Sequence, residues 1–460
     1  MSLLRTNSAP IRRASRTHRL APLALGIALG LGFTASARAQ SLFELYEAAR
    51  AFDAPYLASR ASADSAVYRA EVAHGLRRPA VSLTGTAGRQ SADTVTSDTS
   101  SKAVSASLIG SQSLFNRAND ATIAQADKGV EGAKAQVLAA EQDLIVRVAQ
   151  DYFDVLAAQD ALTTAQANKR AISEQLASAK RNFEVGTATI TDTREAQARF
   201  DLATAQELKA DNDLRAARIA LDTLVGRTGV EPHGLAAPIT LDPVLTGNVE
   251  EWVSPIEGAP PVLAKRIAYD VAKLETDKAR AGHLPTVDLN GSYGRGHLST
   301  DGTAFSPVTM PIDQSGRNNS SSIGVTLKLP LYVGGQVQNR VKETLKLEEQ
   351  ARQDLEAARR DTAQRTRVAY FGVQSLQAQV KALEAAEASS KLALESTQLG
   401  YKVGVRVNLD VLNAQTQLFT TQRDLAKARY DVLVNSLKLR QAAGTLSAED
   451  VLKVNQLLAK

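Results

Sequence analysis

The 460-residue chain contains no cysteine. Disulfide frameworks, thiol nucleophiles and cysteine-ligated metal sites are therefore excluded. No cysteine is available to carry a lipid after a signal cleavage site, so we do not expect a lipoprotein. Beyond residue 39 only four histidines remain, and their spacing matches no metal-ligand pattern. We therefore expect no cofactor, no metal site and no catalytic activity; the histidines are His74, His233, His283 and His297.

Long hydrophobic runs are also scarce. The one candidate, Leu20–Phe33, is about 14 residues long, whereas a spanning helix needs roughly 20. Six arginines and no acidic residue accompany it within residues 1–39, and Ala37-Arg38-Ala39 follows. This is the pattern of a secretory signal peptide, with cleavage predicted after Ala39.

The excess of positive charge belongs to this leader. The whole chain has 54 basic and 49 acidic residues, and a pI of about 9.2. Without the six leader arginines, 48 basic residues face 49 acidic ones, which is a net charge of −1. Nucleic-acid binding needs a basic face on the folded domain, so we expect no nucleic-acid partner.

An internal repeat organises the remaining chain. The segment NFEVGTATITDTREAQ at 182–197 returns, 218 positions later, as GYKVGVRVNLDVLNAQ at 400–415. Such self-similarity indicates a duplicated structural unit. Each copy reads as a tight turn between two helices, with turns predicted at 183–192 and 401–410. The matched residues include Val185 with Val403, Gly186 with Gly404, and Asp192 with Asp410.

A second set of matches, offset by 206, defines the repeats. Pro55-x-Leu57-Ala58 returns as Pro261-x-Leu263-Ala264, and Pro79-x-Val81-x-Leu83 returns as Pro285-x-Val287-x-Leu289. Five prolines mark a non-helical connector between the two copies. The predicted domains are a first repeat at 40–226, a connector at 227–260 and a second repeat at 261–460.

Each repeat begins with a helix and continues with two strands. Period-two alternation of apolar and hydroxyl residues predicts the strands, which have the length that crosses a bilayer when tilted. The polar segments 91–101 and 299–320 are predicted to be loops. The four predicted strands are residues 80–90, 102–115, 286–298 and 321–332.

Long helices follow each strand pair. Residues 116–185 contain no proline and little glycine, and apolar residues recur at heptad spacing. About 70 residues at 1.5 Å each predict a helix on the order of 100 Å. Thr189 and Asp192 fit a capping box that starts the returning helix. The heptad residues are Ile145, Val148, Tyr152, Val155 and Leu162.

Four strands cannot cross a membrane alone, because an open sheet edge leaves backbone groups unpaired in hydrocarbon. About eight strands are the practical minimum for closure. Several chains must therefore contribute to one barrel: two chains would supply eight strands, and three would supply twelve. The predicted class is an α+β membrane protein with helical coiled-coil hairpins and four transmembrane strands per chain.

Five motifs carry a resemblance to a known family: FEVGTATITD, GHLPTVDL at 282–289, LPLYVGG at 329–335, GYKVGVRVNLDVL and AGTLSAEDVL at 443–452. On these motifs, the chain resembles the TolC family of outer-membrane channel-tunnels. The resemblance implies a homotrimer with a twelve-stranded barrel in the Gram-negative outer membrane and an α-helical tunnel in the periplasm. It also implies docking to a periplasmic adaptor and an inner-membrane ABC, RND or MFS transporter, for drug efflux or type I secretion.

The resemblance also implies a periplasmic gate. Mapped by motif, Tyr401 and Arg406 would hold Thr191 and Asp192. The competing interpretation is that Asp192 and Asp410 are helix-start residues favoured by the helix dipole, that Arg406 is solvated, and that Tyr401 is a hydrophobic staple.

A selectivity constriction follows from the same resemblance, which places two acidic positions per chain at the narrowest point. Asp410 matches the first position, but Asn413 occupies the second. Three chains would then carry about three carboxylates instead of six, which predicts weaker cation selectivity.

Two alternatives come from other classes of protein. A structural periplasmic coiled-coil protein would explain the heptads but not the four strands. A periplasmic adaptor has one helical hairpin, whereas this sequence predicts two equal ones.

Overall fold

The fold was analysed in a computed structural model that describes residues 40–236, 245, 247–306 and 308–458. The predicted signal peptide, residues 1–39, lies outside the described residues. Part of the predicted connector, residues 237–244, lies outside them as well.

The described chain repeats one order of elements twice: short helices, two strands, a long helix and a returning helix. Short 3-10 turns at Gly75–Arg77 and Ala281–His283 lead into the strand pairs. The elements are α1 (Leu42–Phe52), α2 (Ala54–His74), β1 (Ala80–Thr94), β2 (Ser97–Phe115), α3 (Arg117–Glu184), α4 (Ile190–Val225), α5 (Val249–Val253), α6 (Pro260–Arg280), β3 (Thr286–Ser306), β4 (Val308–Lys328), α7 (Gln336–Lys402), α8 (Asn408–Ala443) and α9 (Ala448–Asn455).

The two long hairpins have nearly equal dimensions. Helix α3 has 68 residues and α7 has 67, so each extends about 100 Å. Helices α4 and α8 both have 36 residues. Glycines in the left-handed conformation end both returning helices, Gly226 at φ 70° and Gly444 at φ 76°. The predicted long helices and their return are confirmed.

The strands form one antiparallel sheet in the order β1-β2-β3-β4. Side chains alternate between two faces. One face, the apolar face, carries Val81, Leu83, Leu108, Tyr293, Ile323, Val325 and Leu327. The opposite face, the hydroxyl face, carries hydrogen-bonded side-chain pairs: Thr86 with Ser105 at 2.7 Å, Ser292 with Ser322 at 2.8 Å, and Ser101 with Thr300 at 2.9 Å.

The prediction of polar loops at 91–101 and 299–320 was wrong. Residues 91–94 and 97–101 continue the β1–β2 ladder around a two-residue turn. Residues 299–306 likewise pair with 308–315, and residues 316–320 pair with 294–298. Serine and threonine are compatible with a strand when their hydroxyls form hydrogen bonds to the neighbouring strand. A polar segment is therefore not by itself evidence for a loop. The fourth strand ends at Lys328 instead of residue 332, because Pro330 has no N–H to donate to a ladder.

The main core lies where the short helices pack against the long ones. It includes Tyr152 and Phe153 of α3, whose rings meet edge to face at 5.4 Å. The matched residues of the second repeat, Tyr370 and Phe371, keep this geometry at 5.6 Å, but Phe371 is 55% exposed. The duplication therefore repeats the backbone without repeating the core.

An ion pair closes this core on one side. Asp53 caps α2 and is only 5% exposed at its side chain; both of its oxygens accept hydrogen bonds from Arg147 at 2.9 Å. Donation by the Arg147 guanidinium lowers the pKa of Asp53 below its usual range, and the pair raises the pKa of Arg147. The second repeat has Ala259 where Asp53 would fall, so this pair belongs to the first repeat.

In the described part of the chain, no helix combines the length and apolarity that a membrane-crossing helix requires.

Candidate functional site at the paired helix turns

The two predicted turns have the same backbone hydrogen bonds, shifted by 218 residues. In the first, the N–H groups of Thr187 and Ala188 donate to the Asn182 carbonyl at 2.8 and 3.1 Å. In the second, those of Val405 and Arg406 donate to the Gly400 carbonyl at 2.9 and 3.2 Å. Both turns need a left-handed residue, which is supplied by Gly186 at φ 77° and by Gly404 at φ 83°. The duplicated turn is thus confirmed at the level of the backbone.

The helices that leave the turns start differently. Thr189 and Asp192 form the predicted capping box: the Asp192 N–H donates to Thr189 Oγ1 at 3.2 Å, and the Thr189 N–H donates to Asp192 Oδ2 at 3.0 Å. The matching position before α8 is Val407, which has no side-chain acceptor. The Asp192 carboxylate therefore caps its own helix, and the neighbouring Thr191 is exposed.

Tyr401 joins the two turns within one chain. Its hydroxyl accepts a hydrogen bond from Asn182 Nδ2 at 3.2 Å, in a partly buried position. The structure thus brings Tyr401 to the first turn, as the motif mapping requires, but its bonded partner is Asn182. The contacts of Tyr401 and Arg406 with Thr191 and Asp192 stay a prediction for the assembled protein.

Arg406 and Asp410 lie one helical turn apart and pair with each other at 3.5 Å. Both are partly solvated, with exposures of 62% and 36%, so this pair contributes little to stability. Its local effect is electrostatic, because the guanidinium offsets part of the carboxylate's charge at the position that the resemblance assigns to the constriction.

Asn413 contacts a cation across the hairpins. Its Oδ1 accepts a hydrogen bond from Arg199 Nη2 of α4 at 2.9 Å. The second position that the resemblance assigns to the constriction thus has a neutral side chain, which is hydrogen-bonded to a positively charged one. This contact strengthens the expectation that the ring of acids is weak in this protein.

Three residues that sequence reasoning missed complete the contact between the hairpins. Gln175 of α3 donates to Asn408, which begins α8 and is buried. Leu412 of α8 packs fully buried among Ile172 and Ala196 of the first hairpin. The heptad spacing places Leu412 on an apolar stripe, but the partner hairpin follows only from the fold.

The site carries no metal chemistry in the described residues, because no group of three or more histidine or acidic side chains is arranged to hold an ion. Its side chains form hydrogen bonds and apolar contacts between the two hairpins.

The combination of four antiparallel strands, two hairpins of about 100 Å and two equal turns defines a class, the outer-membrane channels. Solved structures of that class share this fold. The chain is similar to CusC with a TM-score of 0.75 and 18% identity, covering 88% of this chain and 92% of the other. It is similar to the outer-membrane protein VceC of Vibrio cholerae with a TM-score of 0.73 and 20% identity, covering 88% and 96%.

The chain belongs to the outer membrane efflux protein family, whose model matches residues 45–227 and 255–445. These two stretches correspond to the two halves of the fold. Among its relatives, the outer membrane protein TolC of Vibrio cholerae is 36% identical over 442 residues, which are 95% of this chain and 98% of the relative. TolC of Escherichia coli is 30% identical, over 96% and 90% of the two chains.

Membership decides between the classes left open by the sequence. The protein is an outer-membrane exit duct for efflux and secretion; it is a passive channel and not an enzyme. The alternatives of a structural coiled-coil protein and a periplasmic adaptor are excluded, because the family match and the channel fold extend over both repeats.

Proposed function

We propose that three copies of this chain form one conduit, with a twelve-stranded barrel in the outer membrane and a helical tunnel in the periplasm. The observation that carries the proposal is the two-faced sheet. Its apolar face suits lipid and its hydroxyl face suits a water-filled lumen. Strands β1 and β4 are the edges of the four-stranded sheet, and an edge must be paired inside a membrane. Twelve strands leave room for a lumen, whereas eight fill their own interior.

The tip of the helical part is the proposed gate. The turns lie at the ends of helices that begin at the sheet and extend about 100 Å from it. In the chain, the tip is held by the Asn182–Tyr401 hydrogen bond and by the packing of Leu412. We propose that Tyr401 and Arg406, together with Thr191 and Asp192, hold the assembled tip closed, and that Asp410 and Asn413 line its constriction.

The partners of the conduit are proposed as a class. Solutes would reach it from an inner-membrane ABC, RND or MFS transporter, through a periplasmic adaptor. The alkaline protease secretion protein AprF of Pseudomonas aeruginosa, which is 34% identical over 67% of this chain and 63% of its own length, is named for protein secretion. Other relatives are named for efflux, so both kinds of cargo fit the proposal.

Single-channel recording tests this proposal. Mature protein, purified as an oligomer, is added to a planar bilayer at neutral pH, and its subunit number is measured by native mass spectrometry. A trimer that gives small, long-lived, cation-preferring currents supports the proposal. Folded protein that neither inserts nor conducts, or a dimer that conducts, would overturn it.

A further inference from the structure

The apolar face of the sheet changes character along its length. Beyond the apolar residues, side chains on the same face become basic, and nearer the strand turns they become acidic. The strand register places each set side by side on neighbouring strands. The basic set, called the basic tier, is Arg89, Lys102, Arg295, His297 and Arg317; the acidic set is Asp93, Asp98, Asp301 and Asp313.

The members of the basic tier are direct neighbours. Arg89 pairs in register with Lys102, and His297 pairs with Arg317. Arg295 lies two residues from His297 and so shares its face. A shallow depression of about 430 Å³ lies among Arg295, His297 and Arg317, and all five side chains are exposed.

Among the residues that the structure describes, the cations of this tier have no acidic partner of their own. In the parts of the strands that the structure describes, no carboxylate lies within 4.0 Å of Arg89, Lys102, Arg295 or Arg317. Arg89 donates a hydrogen bond to the Ser100 hydroxyl, at 3.3 Å. The acidic set is four residues away along the strands, or about 13 Å, which exceeds the Debye length of about 8 Å in physiological salt. Four unneutralised cations on one exposed face favour an anionic ligand.

The height of the tier identifies where that ligand lies. From Val81 to Arg89 is eight residues, or about 27 Å along the strand and about 20 Å along the membrane normal at a 40° tilt. From Val287 to His297 the same conversion gives about 26 Å. The apolar band of a transmembrane barrel is about 25 Å tall. The tier therefore lies at the far edge of the band, on the side opposite the helices, where the headgroups of the outer leaflet begin.

We infer that the basic tier is a docking surface for the phosphate groups of a phosphorylated glycolipid in the outer leaflet. The inference rests on the proposed membrane crossing of the sheet. Arginine matches a phosphate with two parallel hydrogen bonds, and the long side chains reach from the apolar edge to the headgroup. Three chains repeat the tier around the barrel, so the conduit is fastened to the lipid by its charged collar as well as by its apolar band.

The test measures binding of bisphosphorylated lipid A to the purified mature oligomer in detergent. The comparison ligands are the same lipid without its phosphates and sodium phosphate alone. The variant is Arg295→Gln with Arg317→Gln. The matched control is Arg215→Gln with Arg365→Gln, which removes the same charge from arginines paired on their own helices.

At about 1 kcal/mol per cation, each substitution should weaken binding about fivefold, and the pair roughly 25-fold. The control should bind like the wild type, and wild-type binding should fall as sodium chloride rises from 50 to 500 mM. Equal affinity for the phosphorylated and dephosphorylated lipid would overturn the inference. The inference would also be overturned if the variant and the control lost the same amount of lipid A binding, or if free phosphate competed for the site as well as the lipid does.

Currents in phosphatidylcholine bilayers separate this inference from the proposed function. If the wild-type protein conducts but binds lipid A equally well with and without its phosphates, the proposed conduit stands and the lipid-docking role of the basic tier is refuted. Wild-type protein that does not conduct refutes the conduit itself. The single variant Lys102→Gln is a second, milder test, and it should bind lipid A about fivefold more weakly than the wild type.

Discussion

Replacing Tyr401 with phenylalanine tests the tip of the conduit with the loss of one oxygen atom. The tyrosine hydroxyl accepts a hydrogen bond from Asn182 at 3.2 Å, in a partly buried position. Such a bond contributes about 1 kcal/mol net. If three chains each lose one bond on opening, the closed state is weakened by about 3 kcal/mol, and the ratio of open to closed channels rises roughly 150-fold.

Single-channel recording measures this ratio directly as open probability. Tyr332→Phe is the matched control, because it removes the same atom from a tyrosine that is 85% exposed near the sheet. Asn182→Ala should raise the open probability as much as Tyr401→Phe does. The double variant should add nothing further, because both substitutions remove one bond. An unchanged open probability in Tyr401→Phe would refute the reasoning, and full additivity of the two substitutions would show that the hydroxyl acts through another group.

Three further outcomes are expected. Asn413→Asp, which doubles the acids proposed for the constriction, should strengthen block by a trivalent cation on the order of tenfold in bilayer titrations; nanomolar block of the wild type that is lost in Asp410→Ala would contradict this picture. Asp53→Asn should lower the free energy of unfolding by about 2 kcal/mol at pH 7, because it removes the buried carboxylate that pairs with Arg147. The Arg147 guanidinium is 35% exposed and keeps its contact with Asp143 at 2.8 Å, so water and Asp143 compensate part of the loss. Because folding lowers the pKa of Asp53, its contribution is complete above the unfolded pKa of about 4 and is lost as the pH falls further; melting curves of wild type and variant should therefore differ at pH 7 and converge at pH 2–3. Gly444→Ala should lower the melting temperature, because the residue is left-handed and its new side chain would overlap the Ala259 main chain where α8 ends. The control Gly372→Ala, which lies in open space within α7, should leave the melting temperature unchanged or raise it.

Much of the fold could be predicted because the sequence repeats show where each helical hairpin turns. A turn that recurs after 218 residues indicates two hairpins, and heptad residues such as Val148 and Tyr152 are buried where the pattern places them. The capping box at Thr189 was also predicted, since its three-residue spacing is set by helix geometry alone. These features depend on local sequence, and local sequence was sufficient for them.

Contacts between distant segments were harder to predict. The bond of Asn182 to Tyr401 and the bond of Arg199 to Asn413 join residues more than 210 positions apart. No periodicity marks which asparagine or arginine faces the other hairpin. The strand lengths were missed for another reason: a serine-rich segment reads as a loop until its cross-strand partner is known, and that partner lies outside the segment, as for Ser101 and Thr300.

The main core also constrains the order in which parts of the chain can fold. The main core brings α1 together with residues near the other end of the sequence, including Leu446, Val451 and Leu458. Two isolated bridges, Gln40 to Pro232 and Leu235 to Leu458, join the same region. Contacts of such long sequence separation form late, because the whole intervening chain must first be available. A translocating chain therefore cannot close this core until its last helix has emerged, so we expect the unfinished polypeptide to depend on holding chaperones in the compartment where it matures.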